Sequence, residues 1–491
     1  MVYRTMDYSG MKALIMGLGL HGGGLESARY LLRHGAELIV TDLRDEETLA
    51  PSIEQLEAAR QETGRSADSI RYVLGRHETG DFKSADMVIK NPGVRPDSPY
   101  LQAAKCIETD ISLFLAASPA RLSAVTGSKG KSGTASAIHW VLKKAHSMGN
   151  GGFRLDGAAW LGGNITVSPL SFFDKLAVTD DVVLELSSWQ LGDLKGRRKP
   201  DGNPLLKPKA AVLTAIMPDH LDRYDTMEAY IADKRIIYQG QDENDFTIAA
   251  DDDWGRSFHA ESKGRPLVYS KSPLPAGTSG GWVCGPDSPG LAQGESICLR
   301  ETTELVPARP LVPGYHQKQN LLTAGLALLA LGLPPDLIRE GLGTFPGIEH
   351  RLELFHTAQG ISFYNDSAAT IPEAAAAALE ALAGDAPLTL ITGGTDKNLD
   401  FTPLVKAAAL ARRIVLLAGT GSEKLISLFD AVGIEYQGPF DSIERALGAA
   451  LETASAGYRI VLSPGCASFG MFLNEFDRGR KWKEAVLRLA G

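Results

Sequence analysis

The segment with the clearest chemical potential is TGSKGKS, residues 126–132, which follows the apolar run LSAV and precedes a helix-like stretch. Val125 keeps it from fitting the full G-x-x-x-x-G-K-[ST] pattern, so it is a shorter variant. In such loops backbone N–H groups surround phosphate oxygens, the lysine neutralises charge and the serine hydroxyl binds Mg²⁺. The loop therefore predicts a nucleotide phosphate site at Gly127, Ser128, Lys129, Gly130, Lys131 and Ser132.

A carboxylate stands inside a second apolar run, DVVLELSSWQ, residues 181–190. Burying Glu185 without a partner would be costly, so a partner is expected. A salt bridge to a lysine or arginine is the purely structural explanation. A metal ion that bridges to the nucleotide explains both the position and the charge, so Glu185 is predicted to be a magnesium ligand.

Two further side chains follow the apolar segment AAVLTAIM, residues 210–217. His220 lies just beyond it, where a histidine can bind metal or orient a substrate, although a lone histidine is more often structural. Lys234 stands in the helical pattern EAYIADKRIIY and, taken alone, is typical of a solvated helix lysine.

A different glycine loop lies near the start of the chain. Gly17, Gly19 and Gly22 satisfy G-x-G-x-x-G after an apolar strand, and Asp42 ends the next one about twenty residues on. This fingerprint is typical of an NAD-dependent oxidoreductase. However, glycines and a helix N-terminus favour any diphosphate, including that of UDP, and the pattern also fits a tight turn without a ligand.

The arrangement strand, glycine turn, helix occurs three times, in KALIMGLGLHGGG, LSAVTGSKGKS and PLTLITGGTD. It predicts the α/β class, with parallel sheets whose ligands lie at the carboxyl ends of the strands. Composition changes near residues 117–121 and 345–350 divide the chain into three predicted domains. Their predicted bounds are 1–118, 119–346 and 347–491. Residues 146–162 and 195–208 are predicted to be surface loops, and 272–310 a β-rich excursion.

The bulk composition narrows the class of protein. The chain has 491 residues, a net charge of −9 and a sequence pI of about 5.7, so nucleic acid is not an expected partner. Four scattered cysteines without a C-x-x-C pair fit a reducing cytoplasm. Neither a secretory leader nor a run of about 18 apolar residues is present, so membrane insertion is not expected.

Six motifs in one order carry a family resemblance: TGSKGKS, LELSSWQL, DHLDRY, GYHQKQN, EHRLE and NDSAAT. Together they resemble the Mur ligase superfamily, which includes the folylpolyglutamate synthases. The resemblance implies a Rossmann-like N-terminal domain, a P-loop-type central ATPase domain and a Rossmann-like C-terminal domain. GLGL, NPGV and LSPGCASFGMFLNEFDRG are similar to the glutamate-adding branch of the superfamily.

The resemblance implies an ATP-dependent ligation of glutamate, in the D form, to UDP-N-acetylmuramoyl-L-alanine through an acyl phosphate. Two Mg²⁺ ions are implied, with Ser132, Glu185, His220 and a carbamylated Lys234 as ligands, and Lys131 completes the catalytic set. It also implies ATP contacts at Gly133, Asn320, Arg351 and Asp366, and contacts to the UDP-substrate at Leu20, His21, Asp42, Arg44, Asn164 and Ser187. Thr370, Lys397 and Ser468 match the glutamate pocket.

Because the ATP and glutamate residues come from different domains, the C-terminal domain is expected to close on ATP about a hinge near residues 345–350. A cytoplasmic monomer is expected. Three alternatives remain: an NAD-dependent oxidoreductase, a non-catalytic nucleotide-binding regulator, and another Mur-type or folylpolyglutamate-type ligase, including one that adds L-glutamate. Within the glutamate pocket the sequence leaves the family pattern at Ala368 and Glu475.

Overall fold

A computed structural model describes residues 7–20, 22–147, 153–165, 167–218, 224–384 and 386–490. It contains three sheets in chain order, each flanked by helices, which confirms the predicted three-domain α/β fold. The chain packs as two compact units: residues 1–282, 291–305 and 322–339 form one, and 283–290, 306–321 and 340–491 form the other. The domain boundaries at 118 and 346 remain predictions.

The first sheet is wholly parallel, with strand order β3-β2-β1-β4-β5. Its strands are β1 (Lys12–Met16), β2 (Glu37–Asp42), β3 (Ile70–Leu74), β4 (Met87–Lys90) and β5 (Ile107–Glu108). Its helices are α1 (Gly23–Arg33), α2 (Glu46–Glu62), α3 (Thr79–Ser84) and α4 (Asp110–Ala117). The order reverses at β1, so the first glycine loop lies at the switch point, where such sheets bind ligands.

The second sheet has nine strands in the order β14-β13-β12-β11-β10-β9-β6-β8-β7. Its strands are β6 (Arg121–Thr126), β7 (Ala159–Gly163), β8 (Asp181–Glu185), β9 (Ala210–Leu213), β10 (Phe246–Ala250), β11 (Arg265–Ser270), β12 (Gly280–Trp282), β13 (Gly290–Gly294) and β14 (Leu299–Val306). Its helices are α5 (Lys131–Ser147), α6 (Ser188–Gly192), α7 (Met227–Arg235), α8 (Asp253–Glu261), α9 (Tyr315–Ala330) and α10 (Pro335–Gly343). The central strands are buried on both faces, which explains their unbroken apolar runs.

The third sheet has the order β15-β16-β20-β17-β18-β19, and only its first pair is antiparallel. Its strands are β15 (Glu353–Ala358), β16 (Ile361–Asn365), β17 (Leu388–Thr392), β18 (Arg413–Leu417), β19 (Gln437–Phe440) and β20 (Arg459–Leu462). Its helices are α11 (Pro372–Leu382), α12 (Thr402–Ala408), α13 (Thr420–Val432), α14 (Ile443–Leu451) and α15 (Glu475–Leu489). The parallel β16, β20 and β17 therefore end at one common edge.

The structure corrects one predicted loop and confirms two other segments. The loop predicted for 146–162 is wrong in part, because α5 extends to Ser147 and β7 occupies Ala159–Gly163. The glycine-rich sequence of β7 does not predict a strand. The segment is a strand because it pairs with β8, not because of its own composition. Residues 195–208 are irregular as predicted, and 272–310 supply β12, β13 and β14 at the sheet edge. No helix within the described ranges is long and apolar enough to cross a bilayer.

A buried ion pair connects the first two sheets. Lys90, at the end of β4, lies 2.8 Å from Asp193, which caps the C-terminus of α6, and both side chains are nearly inaccessible. The Lys90 ammonium also donates to the carbonyl oxygen of Val94 at 3.1 Å. The pair therefore fixes the loop after β4 against the helix that follows Glu185 in the chain.

Candidate active site

The second glycine loop joins β6 to α5 and is fastened to the strands on both sides. Thr126 donates its hydroxyl to the carbonyl oxygen of Leu186 at 2.7 Å, and the N–H of Ser128 donates to Ala215 at 2.9 Å. Gly127 has φ 146°, and a Cβ there would lie 2.0 Å from the hydroxyl oxygen of Thr214. Only glycine fits this position, so the loop has the tight path that a phosphate cradle requires.

Lys131 and Ser132 begin α5, directly after the loop. The Lys131 ammonium donates to the carbonyl oxygens of Gly127 at 2.9 Å and Ser128 at 3.0 Å, so it lies folded over the loop. Ser132 and Gly133 lie in the first helical turn, where the helix dipole favours anions. The lysine is thus positioned to neutralise a phosphate that enters the cradle.

Lys234 also reaches this loop. Its side chain is 1 % exposed, its ammonium donates to the carbonyl oxygen of Gly127 at 3.0 Å, and it lies 4.3 Å from the centre of the Tyr230 ring. The Tyr230 hydroxyl is in turn 3.0 Å from that of Ser128. A solvated position for Lys234 is therefore wrong. The signal for its burial was its spacing, because Tyr230, Ile231 and Lys234 share one buried helix face.

Glu185 ends β8 beside β6 and is 1 % exposed. Its Oε1 accepts a hydrogen bond from the Asn164 side-chain amide at 2.9 Å, so the partner of Glu185 is an amide rather than a basic side chain. Its Oε2 is buried and accepts no hydrogen bond from the residues that the structure describes. An orphaned, inward-facing carboxylate oxygen next to a phosphate loop is a donor of the kind Mg²⁺ prefers, so these residues fit the implied metal.

Two predicted site residues, His21 and His220, lie outside the described residues, and their roles stay predictions. β9 ends at Leu213, earlier than the apolar segment suggested, because residues 214–217 leave the sheet and fasten the glycine loop instead.

The Asp42 carboxylate supports the first glycine loop through hydrogen bonds from two backbone N–H groups. One carboxylate oxygen accepts from the N–H of Gly19 at 3.1 Å and the other from the N–H of Arg44 at 3.0 Å. Leu20 and the Arg44 side chain are exposed above this support. Gly17 and Gly19 have positive φ, and a Cβ on Gly24 would lie 2.0 Å from the carbonyl oxygen of Gly17. Loop and helix α1 therefore approach as closely as a diphosphate site demands.

Two further residues, Asn164 and Ser187, were predicted to contact the UDP-substrate. Asn164 lies next to Glu185 in space, and Ser187 lies two residues after it in the chain. The Asn164 N–H donates to the carbonyl oxygen of Glu185 at 2.8 Å, in addition to the side-chain contact. Ser187 is the N-cap of α6 and forms a capping box with Gln190. Both residues therefore hold the carboxyl end of β8 in place.

The edge of the third sheet gathers the residues predicted to meet glutamate. The N–H of Gly465 donates to the carbonyl oxygen of Ala369 at 2.9 Å, which joins the loop of Thr370 to the loop of Ser468. Ser468 is buried, whereas Lys397 is exposed. The loop of Lys397 is joined to the Ser468 loop by a bridge between Thr395 and Ala467. Three separate segments thus meet at one place.

The sequence did not indicate a role for Arg478, which connects the loops that contain Ser367 and Cys466 by hydrogen bonds. It is 1 % exposed and donates to the hydroxyl and carbonyl oxygens of Ser367 at 3.0 and 2.8 Å, and to the carbonyl oxygen of Cys466 at 3.2 Å. Burial lowers the pKa of its guanidinium to about 10. The sequence NEFDRG offered no signal, because an inward-facing helix arginine has the same local pattern as a surface one.

Arg351 and Asp366 lie close to each other, and Asn320 is on α9. Arg351 is exposed, and the next residue, Leu352, donates its N–H to the Asp366 carboxylate at 3.0 Å. Asp366 also accepts from the Ser463 hydroxyl at 2.6 Å. The Asn320 amide donates to the Gln317 side chain at 3.1 Å within the same helix.

Burial raises the pKa of Asp366 from its ordinary value of 3.8 to about 7. Between these values the folded protein holds a proton that the unfolded chain releases, so the free energy of unfolding falls as pH rises through this window. Asp366→Asn removes the buried charge; its amide oxygen can accept the N–H of Leu352, and its NH₂ group can donate to the Ser463 hydroxyl, which reverses the direction of that bond. We expect the variant to show a higher melting temperature than wild type at about pH 8, and this difference should shrink as pH falls through the window and become small at about pH 4. Exposed Asp441→Asn should show no such pH dependence, and equal curves for Asp366→Asn and wild type would contradict the raised pKa.

The fold and the second glycine loop are those of an α/β protein that binds nucleotide phosphates. Family models agree: residues 11–112 match the MurD-like N-terminal domain of Mur ligases, 125–328 the Mur ligase middle domain and 350–466 the Mur ligase glutamate ligase domain. The chain belongs to the Mur ligase family, whose members are ATP-dependent ligases. This membership decides against the oxidoreductase interpretation of the first glycine loop.

Relatives resemble the chain from end to end. A UDP-N-acetylmuramoylalanine–D-glutamate ligase of Treponema pallidum is 38% identical, covering 97% of this chain and 97% of its own. Its namesake in Borreliella afzelii is 37% identical over 98% and 99% of the two chains. Among solved structures, UDP-N-acetylmuramate–alanine ligase MurC of Thermotoga maritima has a TM-score of 0.54 at 18% identity, covering 97% and 99%. MurF of Acinetobacter baumannii has a TM-score of 0.55 at 13% identity, covering 97% and 93%. These structures share the fold.

Proposed function

We propose that this enzyme joins D-glutamate to UDP-N-acetylmuramoyl-L-alanine at the cost of ATP, a step in the synthesis of peptidoglycan precursors. The observation that carries the proposal is the meeting of Lys131, Lys234 and Glu185 around one phosphate loop, in a chain whose full-length relatives bear the name of this ligase. The oriented cations and the orphaned carboxylate oxygen suit phosphoryl transfer from a metal-bound nucleotide.

The chemistry begins with a carboxylate, which is a poor electrophile. A carboxylate oxygen of the alanyl group attacks the γ-phosphorus of ATP, the bond to the β–γ bridging oxygen breaks, and an acyl phosphate and ADP result; charge develops on the transferring oxygens. Lys131 turns from its two carbonyl contacts to these oxygens, and loop N–H groups from Gly127 to Ser132 donate to the remaining phosphates. Two Mg²⁺ ions, when bound, supply further charge neutralisation. Ser132 and Glu185 would hold one of them, and His220 with carbamylated Lys234 the other.

The glutamate amine, after it has lost a proton, attacks the acyl carbon and forms a tetrahedral intermediate; this collapses to the amide with inorganic phosphate as the leaving group, and the second amine proton is released. Lys397 pairs with a glutamate carboxylate, and Thr370 and Ser468 supply hydroxyl groups to the same pocket. Asn320, Arg351 and Asp366 contact the adenosine and phosphates of ATP. In the first domain, Leu20, His21, Arg44 and the loop held by Asp42 receive the UDP moiety, and Asn164 and Ser187 meet the sugar-peptide portion. The boundaries 1–118, 119–346 and 347–491 belong to this proposal.

We place the enzyme in the cytoplasm, since its four cysteines are free and ATP is its co-substrate. A monomer is part of the same proposal, and size-exclusion chromatography with light scattering tests it.

The proposal is tested by phosphate release from ATP in the presence of UDP-N-acetylmuramoyl-L-alanine and each glutamate enantiomer in turn. We expect release with D-glutamate and a product heavier by one glutamyl residue in mass spectrometry. L-Glutamate should give neither. Phosphate release with L-glutamate alone would mean that the chain is another ligase of the family. No phosphate release with either enantiomer would overturn the proposal.

A further inference from the structure

We infer that the exposed ring of Phe469 is a positioning residue that holds the Lys397 ammonium in place for the incoming amino-acid carboxylate. The inference rests on the proposed function, in which Lys397 receives glutamate. Lys397 is exposed and makes no hydrogen bond or ion pair within the described part of the chain. Its ammonium nitrogen instead lies 5.9 Å from the centre of the Phe469 ring. This distance is within the range of a cation–π interaction.

The backbones that carry the two side chains are fixed relative to each other. The N–H of Thr395 donates to the carbonyl oxygen of Ala467 at 3.1 Å, and the N–H of Ala467 donates back at 3.0 Å. The Thr395 hydroxyl donates to the carbonyl oxygen of Phe469 at 2.5 Å. The backbone of residue 469 is therefore fixed beside the loop of Lys397, which brings the ring within reach of the lysine although core packing does not hold the ring there.

The exposure of Phe469 needs an explanation. Its side chain is 60 % exposed, so burial does not account for an aromatic residue at the tip of this loop. A flexible lysine loses rotamer freedom when it binds an anion, and a surface that already restricts its ammonium reduces that loss. The ring offers such a surface without competing for the positive charge as a carboxylate would.

The nearest acidic side chain on this loop, Asp396, is already engaged. The Lys424 ammonium lies 3.4 Å from the Asp396 carboxylate and donates to the carbonyl oxygen of Leu399 at 2.7 Å. Lys424 thus neutralises Asp396 and leaves Lys397 to the aromatic ring. Lys424 thus has a structural role, whereas the charge of Lys397 remains available to a ligand.

The test measures steady-state constants of the full-length enzyme carrying Phe469→Leu. We expect KM for D-glutamate to rise about two- to five-fold, the strength of an exposed cation–π contact, while kcat and KM for ATP and the UDP-substrate stay unchanged. Phe469→Tyr should keep the wild-type KM because it preserves the ring. Leu473→Ala, an exposed change in the same segment, is the control and should leave every constant unaltered.

A double-mutant cycle separates this inference from the proposed function. Lys397→Met alone should raise KM for D-glutamate, and adding Phe469→Leu to it should change nothing further. No effect of Lys397→Met would refute the glutamate role of Lys397. An effect of Lys397→Met without one of Phe469→Leu, or equal losses in the leucine and tyrosine variants, would refute the positioning role only.

A readout independent of turnover is the NMR spectrum of the enzyme with isotope-labelled lysine. A ring face near the ammonium shields the adjacent methylene protons. We expect the Lys397 Hε signals to move downfield in Phe469→Leu and to stay in place in Phe469→Tyr. Identical signals in wild type and Phe469→Leu would overturn the inference, whatever substrate the enzyme uses.

Discussion

Lys131→Met is expected to lower kcat for phosphate release by at least about a hundred- to a thousand-fold, the range for loss of one preorganised donor at a developing oxyanion. Methionine keeps most of the apolar stem of lysine but removes the charge, and it is a good helix former at residue 131, where the helix begins. Wild-type Lys131 contacts two carbonyl oxygens of its own loop, so phosphate must displace these contacts to recruit the ammonium. In the proposed mechanism the ammonium therefore contacts the nucleotide only after leaving these carbonyl oxygens, and its interaction is strongest where charge develops.

The matched control is Lys143→Met, a change of the same chemistry on the exposed face of the same helix, which should keep wild-type kcat. Calorimetric titration should show that Lys131→Met still binds the UDP-substrate with nearly its original affinity, because the first glycine loop is unchanged. Retention of more than about a tenth of wild-type kcat would exclude Lys131 as the main phosphate-stabilising side chain.

The sequence predicted the three sheets and the phosphate loop because both are encoded locally. An apolar run, a glycine and a helix-forming stretch specify strand, turn and helix with little help from distant residues. Gly127 illustrates this, since glycine adopts its positive φ without strain and marks the turn in the sequence itself. The predicted magnesium carboxylate, Glu185, was visible for the same reason, as a charge inside an apolar strand.

Other features depend on partners far away in the chain and were not predictable. Lys234 lies on the buried face of its helix, and its ammonium contacts the carbonyl oxygen of Gly127, from which 107 positions of sequence separate it. Arg478 reaches Ser367 across 111 positions. β7 is a strand through its partner β8. In each case a tertiary contact outweighs the local preference of the segment.

For Asp42 the sequence motif was recognised correctly, but the contacts of the carboxylate could not be predicted from it. The fingerprint predicts an acidic residue that contacts a ligand. In the structure both of its carboxylate oxygens accept backbone N–H groups, from Gly19 and Arg44. The spacing of the motif is thus satisfied by a residue that shapes the loop, so the pattern by itself does not identify the ligand as NAD.

Glu185→Gln should have opposite effects on stability and activity, a combination expected of a ligand site. In the folded protein Oε1 accepts the Asn164 amide and the buried Oε2 has no hydrogen-bond donor within the described residues. Glutamine keeps the oxygen that Asn164 contacts and removes an uncompensated buried charge, so the melting temperature in the absence of Mg²⁺ and nucleotide should rise, by the equivalent of about 1 kcal/mol or more.

The same substitution removes an anionic donor beside the phosphate loop. We expect kcat to fall by at least about a hundred-fold, since charge stabilisation during phosphoryl transfer depends on a correctly held cation. The Mg²⁺ concentration for half-maximal stabilisation by nucleotide should rise in parallel, which a thermal-shift titration measures without turnover. Glu37→Gln, at an exposed strand position of the first sheet, should change neither quantity.

The pair of measurements separates a metal ligand from a structural carboxylate. If Glu185 only supported the fold through Asn164, glutamine would leave both the melting temperature and the Mg²⁺ response close to wild type. If the negative charge of Glu185 itself stabilised the fold, Glu185→Gln would lower the melting temperature. A rise in melting temperature with a weakened Mg²⁺ response is expected only where a buried charge is maintained for a ligand, because natural sites retain such charges against their cost in stability.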